Sequence, residues 1–398
     1  MDIVSLREEA EDGNAESQCL LGRIYLGLID LKAENIEIEP NPIDGIFWLN
    51  KSAEKGNQDA IYCLAMCYLH GLGVEKNAEK AAQLFFTVAV KGYASAQNEL
   101  GKLYEEGEGV NKNGNEAFKW YSKSAEHGFA KAQVNLANCY LYGIGVEPDV
   151  HEALRIMRLA ADAGNADAQF SVGWFYDYGR GVKRDIQEAL KWYRLAAAQN
   201  HGKAMCYIGY CYQYGDGVEK NLTEAVKWYK ASMQQKYHQA FCNMGFCYQY
   251  GEGVAEDMAT AILMYRAAVQ LGNNDAMYNL GLCYTYGDGV ERNLAEAANY
   301  FLMGAKEGHT LCCYRAGMCY ATGDGVSCDP EEAVRYFSMA AADGNEDAQY
   351  ALGLCYEEGM GVEKDLQTAA EMYISAASRD HEDAKKKLKK LKFKKYLK

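Results

Sequence analysis

Fourteen Cys, seven His and one Ser-X-X-Lys run are the parts of this 398-residue sequence that could do chemistry. Thiolates and imidazoles ligate metals or act as nucleophile and base, and a Lys three residues after a Ser can activate its hydroxyl. Spacing argues against each use. Cys67, Cys139, Cys211, Cys247, Cys283, Cys319 and Cys355 share one equivalent place in a repeating pattern, and Ile24, Leu103 and Phe175 take that place elsewhere. A place that accepts Leu, Ile, Phe or Cys is an apolar core slot, where a reduced thiol acts as a small hydrophobe. The remaining Cys form no Cys-X-X-Cys pair of zinc spacing, and adjacent Cys312 and Cys313 leave a helix in different directions. His127, His201, His238 and His309 fall one per junction between repeats, too far apart to converge, and read as solvated polar positions. Ser52-Ala-Glu-Lys55 sits where another repeat has Ser124-Ala-Glu-His127, so it reads as repeat consensus. No phosphate loop, dinucleotide fingerprint or HExxH motif occurs. The expectation is a chain with no catalytic residues, no metal and no cofactor.

The elements that would position any site are set by a repeat. Gly-X-Gly-Val begins at Gly71, Gly107, Gly143, Gly179, Gly215, Gly251, Gly287, Gly323 and Gly359, always 36 residues apart. Such a period marks a solenoid, not the two or three domains that roughly 150 residues per domain would suggest. A Gly or Ala stands six residues before each match and a Tyr three before it, from Tyr68 to Tyr356; these Tyr read as core. Gly22 and Tyr25 open a tenth unit, in which the 43 residues from Gly22 to Ala65 imply a seven-residue insertion near 28–40.

Each unit reads as two helices. In the first, Ala348, Leu352, Gly353 and Tyr356 show the helical spacing. A Gly replaced only by Ala inside a helix predicts two backbones meeting there, because Gly otherwise costs about 1 kcal/mol. Gly-X-Gly ends that helix, and an Asn or Asp such as Asp149, Asn221 or Asp365 starts the next. Glu152, Glu188 and Glu224, three residues after their caps, suggest capping boxes. The expected organisation is one solenoid over 1–398, with a capping helix at 3–13, ten repeats over 14–380, and a capping helix with a Lys-rich tail at 381–398.

Charge narrows the partners. The chain holds 41 basic and 55 acidic side chains, a net charge of −14, so it is a poor general binder of nucleic-acid backbones. The run Lys385–Lys398 has nine Lys and no acid, which leaves residues 1–384 at −23. Its plain reading is a solvated capping helix; anionic lipid, nucleic acid or the acidic body of another copy are the alternative destinations. No apolar run reaches the ~20 residues of a membrane span, and the acidic start lacks the features of a signal peptide, so a cytoplasmic protein is expected unless a leader was trimmed.

The run Ala348-Gln-Tyr-Ala-Leu-Gly-Leu-Cys-Tyr-Glu-Glu-Gly-Met-Gly-Val-Glu-Lys-Asp365, continued by Ala369, Met372-Tyr373 and Ala377, resembles the Sel1-like repeat family, relatives of the tetratricopeptide repeats. The resemblance covers nearly the whole chain. It implies an all-α fold, a right-handed superhelical α-solenoid of about ten 36-residue helix-turn-helix repeats with helical caps at both ends, and a role as adaptor or scaffold. Some cysteine-rich relatives carry a disulfide in each hairpin; here the recurrent Cys has no partner Cys at a fixed place in the second helix. The alternative is a repeat-built hydrolase, such as the β-lactamase-like activity claimed for some of those relatives.

In tetratricopeptide folds the first helices line the concave surface, so the residue before Gly-X-Gly-Val would face the groove. Five consecutive units place Tyr142, Tyr178, Tyr214, Tyr250 and Tyr286 there, whereas His70, Glu106, Thr322 and Glu358 fill the place in flanking units. One helical turn earlier stand Asn138, Trp174, Tyr210, Phe246 and Leu282, bulky in four of the five units and as suited to packing between hairpins as to contact. Tyr combines rigid contact area with a hydroxyl, which suits a protein ligand. The expected binding residues are therefore Tyr142, Trp174, Tyr178, Tyr210, Tyr214, Phe246, Tyr250, Leu282 and Tyr286, with a peptide or protein partner in the groove.

Overall fold

Two local rules recur through the chain and build its hairpins. The first helix of a repeat stops on a Gly in the left-handed region, as Gly251 does at φ 67°, because its N–H bonds back to a carbonyl four residues earlier. The second helix starts on an Asn or Asp whose side chain accepts an N–H of the new first turn, in all ten repeats from Asn41 to Asp365. The backbone N–H of the same cap donates to the carbonyl of the repeat Tyr, for example Asp257 to Tyr248 at 2.9 Å and Asp365 to Tyr356 at 2.9 Å. That bond ties the loop shut. It also explains why the expected capping boxes form only half: the cap N–H is already taken. Glu152, Glu188 and Glu224 instead pair with Arg155, Lys191 and Lys227 one turn on.

The computed structural model describes residues 3–29 and 39–390, which contain 22 helices and no strand. The expected insertion falls almost wholly on 30–38, and 391–398 hold most of the Lys-rich tail; both lie outside the described residues. The chain divides into two compact units, Met1–Gln199 and Asn200–Lys398. The first unit opens with the lone helix Ile3–Glu11 and continues with five hairpins, ending in Ala166–Tyr178 and Ile186–Ala198. The second begins with the hairpin Gly202–Tyr214 and Leu222–Gln234, carries four more, and ends in the lone helix Glu382–Leu388. There Lys387 lies 2.9 Å from the buried Glu357, which also accepts the Tyr373 hydroxyl at 2.7 Å.

The core is a stack of small residues and second-helix aromatics. The recurrent Cys67, Cys139, Cys211, Cys247, Cys283, Cys319 and Cys355 are all buried and free. The helix glycines work differently from the sequence expectation. A Cβ on Gly173, Gly209 or Gly245 would meet the ring of Tyr193, Tyr229 or Tyr265, 20 residues on, before it met any backbone. The glycine is thus first a seat for a ring, whereas at Gly22 and Gly45 the two helix backbones also come within about 3 Å of the added carbon. The rings seated this way include the fully buried Tyr of the described residues, Tyr121, Tyr193, Tyr229, Tyr265 and Tyr373. The first-helix Tyr series, expected as core, is half-buried, because those rings lie over the flank of their own hairpin, as in the Tyr284–Tyr300 and Tyr320–Tyr336 stacks.

Candidate functional site

Residues of catalytic type have structural partners. Ser52 Oγ donates to the carbonyl of Ala15 at 2.5 Å, as Ser124 does to Ala94 at 2.7 Å and Ser232 to Gly202 at 2.6 Å. Lys55 turns its amine to the carbonyl of Gly13. Both groups of the Ser-X-X-Lys run are therefore spent on tying the end of the second helix of the first hairpin to the start of its first helix and the turn before it. His201, His309 and His381 are helix caps, whereas the sequence reading expects solvated positions at His201 and His309. Their Nδ1 atoms accept the N–H of Ala204, Cys312 and Ala384 at 3.1, 3.3 and 3.1 Å. Nε2 of His309 then reaches Asp275 at 3.1 Å, and Nε2 of His381 reaches Asp347 at 3.3 Å. The His309 contact, ahead of the opposing cost of burial, lowers the Asp275 carboxyl below its ordinary range. The signal was present: these His stand where Asn57, Asn165, Asn273 and Asn345 cap other first helices. Among the described residues no three His, Cys, Asp or Glu side chains are grouped to hold a metal ion.

The exposed aromatics lie on the first helices. In the first unit, Tyr142 ends helix Ala130–Tyr142 and Tyr178 ends Ala166–Tyr178, 68% and 58% exposed. Trp174, half-buried, sets its ring 5.2 Å from that of Tyr178, and the guanidinium of Arg180 lies over the Trp174 ring at 5.0 Å. Tyr142 has no such neighbour one turn back, where Asn138 stands.

In the second unit, Tyr214, Tyr250 and Tyr286 end helices Gly202–Tyr214, His238–Tyr250 and Asn274–Tyr286, each more than half exposed. Tyr210 and Phe246 stand one turn back, with ring centroids 4.5 Å from Tyr214 and Tyr250. Tyr210 is itself 49% exposed, so its ring belongs to the surface and not to the contact between hairpins. Phe246 is half-buried, while Leu282 packs against the core cluster of the next hairpins and leaves Tyr286 without an aromatic neighbour one turn back. Partial burial, with Tyr210 and Glu252 close by, raises the Tyr214 phenol above its ordinary value, so it is a neutral hydrogen-bond donor.

Carboxylates border the row of the second unit. Gln213, buried beside Tyr214, donates to Glu252 at 2.7 Å and accepts the Tyr229 hydroxyl at 2.5 Å. One repeat on, Gln249, Tyr250, Glu256 and Asp288 line an open depression of about 470 Å³.

The Sel1 repeat family model matches residues 15–57, 58–86, 94–129, 130–165, 166–201, 202–236, 239–273, 274–309, 310–345 and 346–381. Among solved structures, a protective antigen of uropathogenic Escherichia coli strains displaying an SLR fold is 26% identical, with a TM-score of 0.60. The likeness covers 99% of this chain and 91% of that one. A Sel1 repeat protein from Oxalobacter formigenes is 35% identical over 62% of this chain and 99% of its own, with a TM-score of 0.56. No curated protein matches the chain. Sel1-repeat proteins generally act as protein-interaction scaffolds and are typically non-enzymatic. With its ten matched repeats and solenoid architecture, this chain belongs to the Sel1-repeat family.

Proposed function

We propose that the chain is a non-catalytic scaffold whose exposed aromatic rows bind an extended or helical segment of another protein. The supporting observation is the outer Tyr column: Tyr142, Tyr178, Tyr214, Tyr250 and Tyr286 are each more than half exposed. Folding does not require a ring there, since His70, Glu106, Thr322 and Glu358 fill the same place in other repeats. In this reading the first helices face the groove of the solenoid and the paired rings of Trp174, Tyr210 and Phe246 widen the contact. Rigid Tyr rings lose little conformational entropy on binding and carry a hydroxyl for the partner's backbone.

The test is the triple variant Tyr178→Ala, Tyr214→Ala, Tyr250→Ala, used as bait beside the parent protein in a lysate of the source cells. A loss of about 1 kcal/mol at each ring weakens binding by more than 100-fold, enough to remove a captured partner. Helicity should stay unchanged, because these side chains lie outside the core. Equal capture by both proteins would overturn the proposal.

A further inference from the structure

The second unit specifies more than an aromatic surface, and we infer that its row takes a Lys- or Arg-bearing extended segment of a partner protein. Each cation would sit between a Tyr ring and a carboxylate of the following Gly-X-Gly loop. The inference rests on the scaffold reading and adds the chemistry of the partner.

Three observations carry it. First, ring and carboxylate recur together at the repeat period. Glu252, two residues into the second helix-breaking loop of the unit's row, stands beside Tyr214, and Gln213 holds it there at 2.7 Å. Asp288, in the equivalent place one repeat on, shares the open depression of about 470 Å³ with Tyr250 and Glu256. Among the described residues neither Asp288 nor Glu256 is committed to an ion pair. A cation within about 6 Å of a ring face is attracted by its quadrupole, and an adjacent carboxylate adds direct charge.

Second, the first unit holds an internal example of the same contact. Its loop has Arg180 where Glu252 and Asp288 stand, and that guanidinium lies 5.0 Å over Trp174, a ring of the same face. There the chain supplies its own cation; in the second unit the loop offers carboxylates instead. Third, residues 251–384 hold 23 acidic and seven basic side chains, a net −16, so the surroundings attract a cationic segment and repel an anionic one.

The repeat also sets the register. Packed helices lie about 8–10 Å apart, and an extended chain advances about 3.3 Å per residue. Two cations three residues, about 10 Å, apart are thus a starting spacing for reaching the ring–carboxylate pairs of neighbouring repeats.

The test uses fluorescein-labelled nine-residue Gly/Ser peptides with two Lys three residues apart, or two Glu in the same places, titrated with the full chain at low salt. The Lys peptide should bind at least tenfold more tightly than the Glu peptide. Glu252→Gln with Asp288→Asn should weaken it at least fivefold, and Tyr214→Ala with Tyr250→Ala at least as much, with circular dichroism unchanged. Equal binding of the two peptides, or no effect of the carboxylate variant, overturns the inference. If capture of the lysate partner still depends on the Tyr rings in that case, the scaffold reading survives alone. If capture is indifferent to the rings, the scaffold reading falls first. A chain ended at residue 384 that turns an oligomer into a monomer would make the occupant the Lys-rich run of a second copy, and would overturn the partner assignment.

Discussion

Gly245→Ala should destabilise this protein although Ala is the better helix former. On an open helix face the change would stabilise by about 1 kcal/mol. Here the new Cβ would fall 2.5 Å from Cε1 and 2.6 Å from Cδ1 of Tyr265. Carbon contacts prefer about 3.5–4.0 Å, so the ring would have to retreat by about 1 Å. It is held on both sides: Tyr265 is fully buried, and its hydroxyl donates to Gln249 at 2.7 Å. Adding a methyl to a packed core costs about 1–3 kcal/mol, and loosening the hydroxyl bond adds about 0.5–1.5. Set against the propensity gain, the net loss is about 2 kcal/mol, within roughly 0.5–3.5. The chain supplies its own control. Ala137 replaces the glycine in the repeat where Met157 replaces the ring, and Ala65 stands opposite Phe85, a ring with no hydroxyl to hold it in place; all four side chains are buried. Tyr265→Met should therefore couple favourably to Gly245→Ala, by about 1 kcal/mol or more in a double-mutant cycle. Urea unfolding gives the cycle, and hydrogen exchange in helix His238–Tyr250 localises it, since repeat arrays open in segments. A Gly245→Ala protein as stable as the parent, or an additive cycle, would refute the claim that the ring fixes this glycine.

Two further outcomes test the core and the junctions. With an Ellman-type reagent the native protein should show one fast thiol, Cys328, and a slower Cys63, the other twelve reacting only on unfolding. Burial pushes Cys67, Cys283 and Cys319 up to about 11, and Cys139, Cys206 and Cys247 to about 12, from an ordinary 9.0. The folded state thus keeps protons that the unfolded chain releases, so stability is full below about pH 9 and falls as pH rises toward 12. Urea midpoints that stay flat from pH 8 to 11 would contradict this. At the hairpin junction, Lys236 is exposed and holds φ at 56°, where Gly56, Gly128 and Gly272 stand in other repeats. The left-handed conformation costs a side chain about 1–2 kcal/mol and glycine's added chain entropy about 0.5–1, so Lys236→Gly should stabilise by about 0.5–1 kcal/mol. An unchanged or lower urea midpoint would refute that estimate.

What could be read from the sequence follows from what repetition records. The 36-residue period, the Asn and Asp caps and the buried Cys slot repeat as local patterns, and each stood in the expected place. The seat of the helix glycine was not local: it depends on a ring 20 residues away, and spacing alone suggested a backbone contact instead. Yet a trace of the true packing was in the sequence at another offset. Tyr121, Tyr193, Tyr229, Tyr265 and Tyr373 each follow an acceptor by 16 residues: Glu105, Asp177, Gln213, Gln249 and Glu357. Where the ring lacks a hydroxyl or is absent, at Phe85, Met157, Phe301 and Phe337, the same offset holds the apolar Leu69, Leu141 and Ala321, and Thr285, whose hydroxyl is turned to the carbonyl of Gly281 at 2.7 Å. Hydroxyl and acceptor change together because a buried hydroxyl without an acceptor is costly.

That pairing supplies a way to tell architecture from recognition inside one chain. A residue that serves the fold varies in step with the group it touches, as the buried Tyr do. The outer Tyr column does not. Its nearest neighbour one turn back changes from Asn138 to Trp174, Tyr210, Phe246 and Leu282, while Tyr142, Tyr178, Tyr214, Tyr250 and Tyr286 stay the same. Packing against the neighbour one turn back is therefore not what these five exposed Tyr have in common, and His70, Glu106, Thr322 and Glu358 show that the fold accepts other residues there. The scaffold proposal supplies a common constraint from outside the chain, in the form of a binding partner.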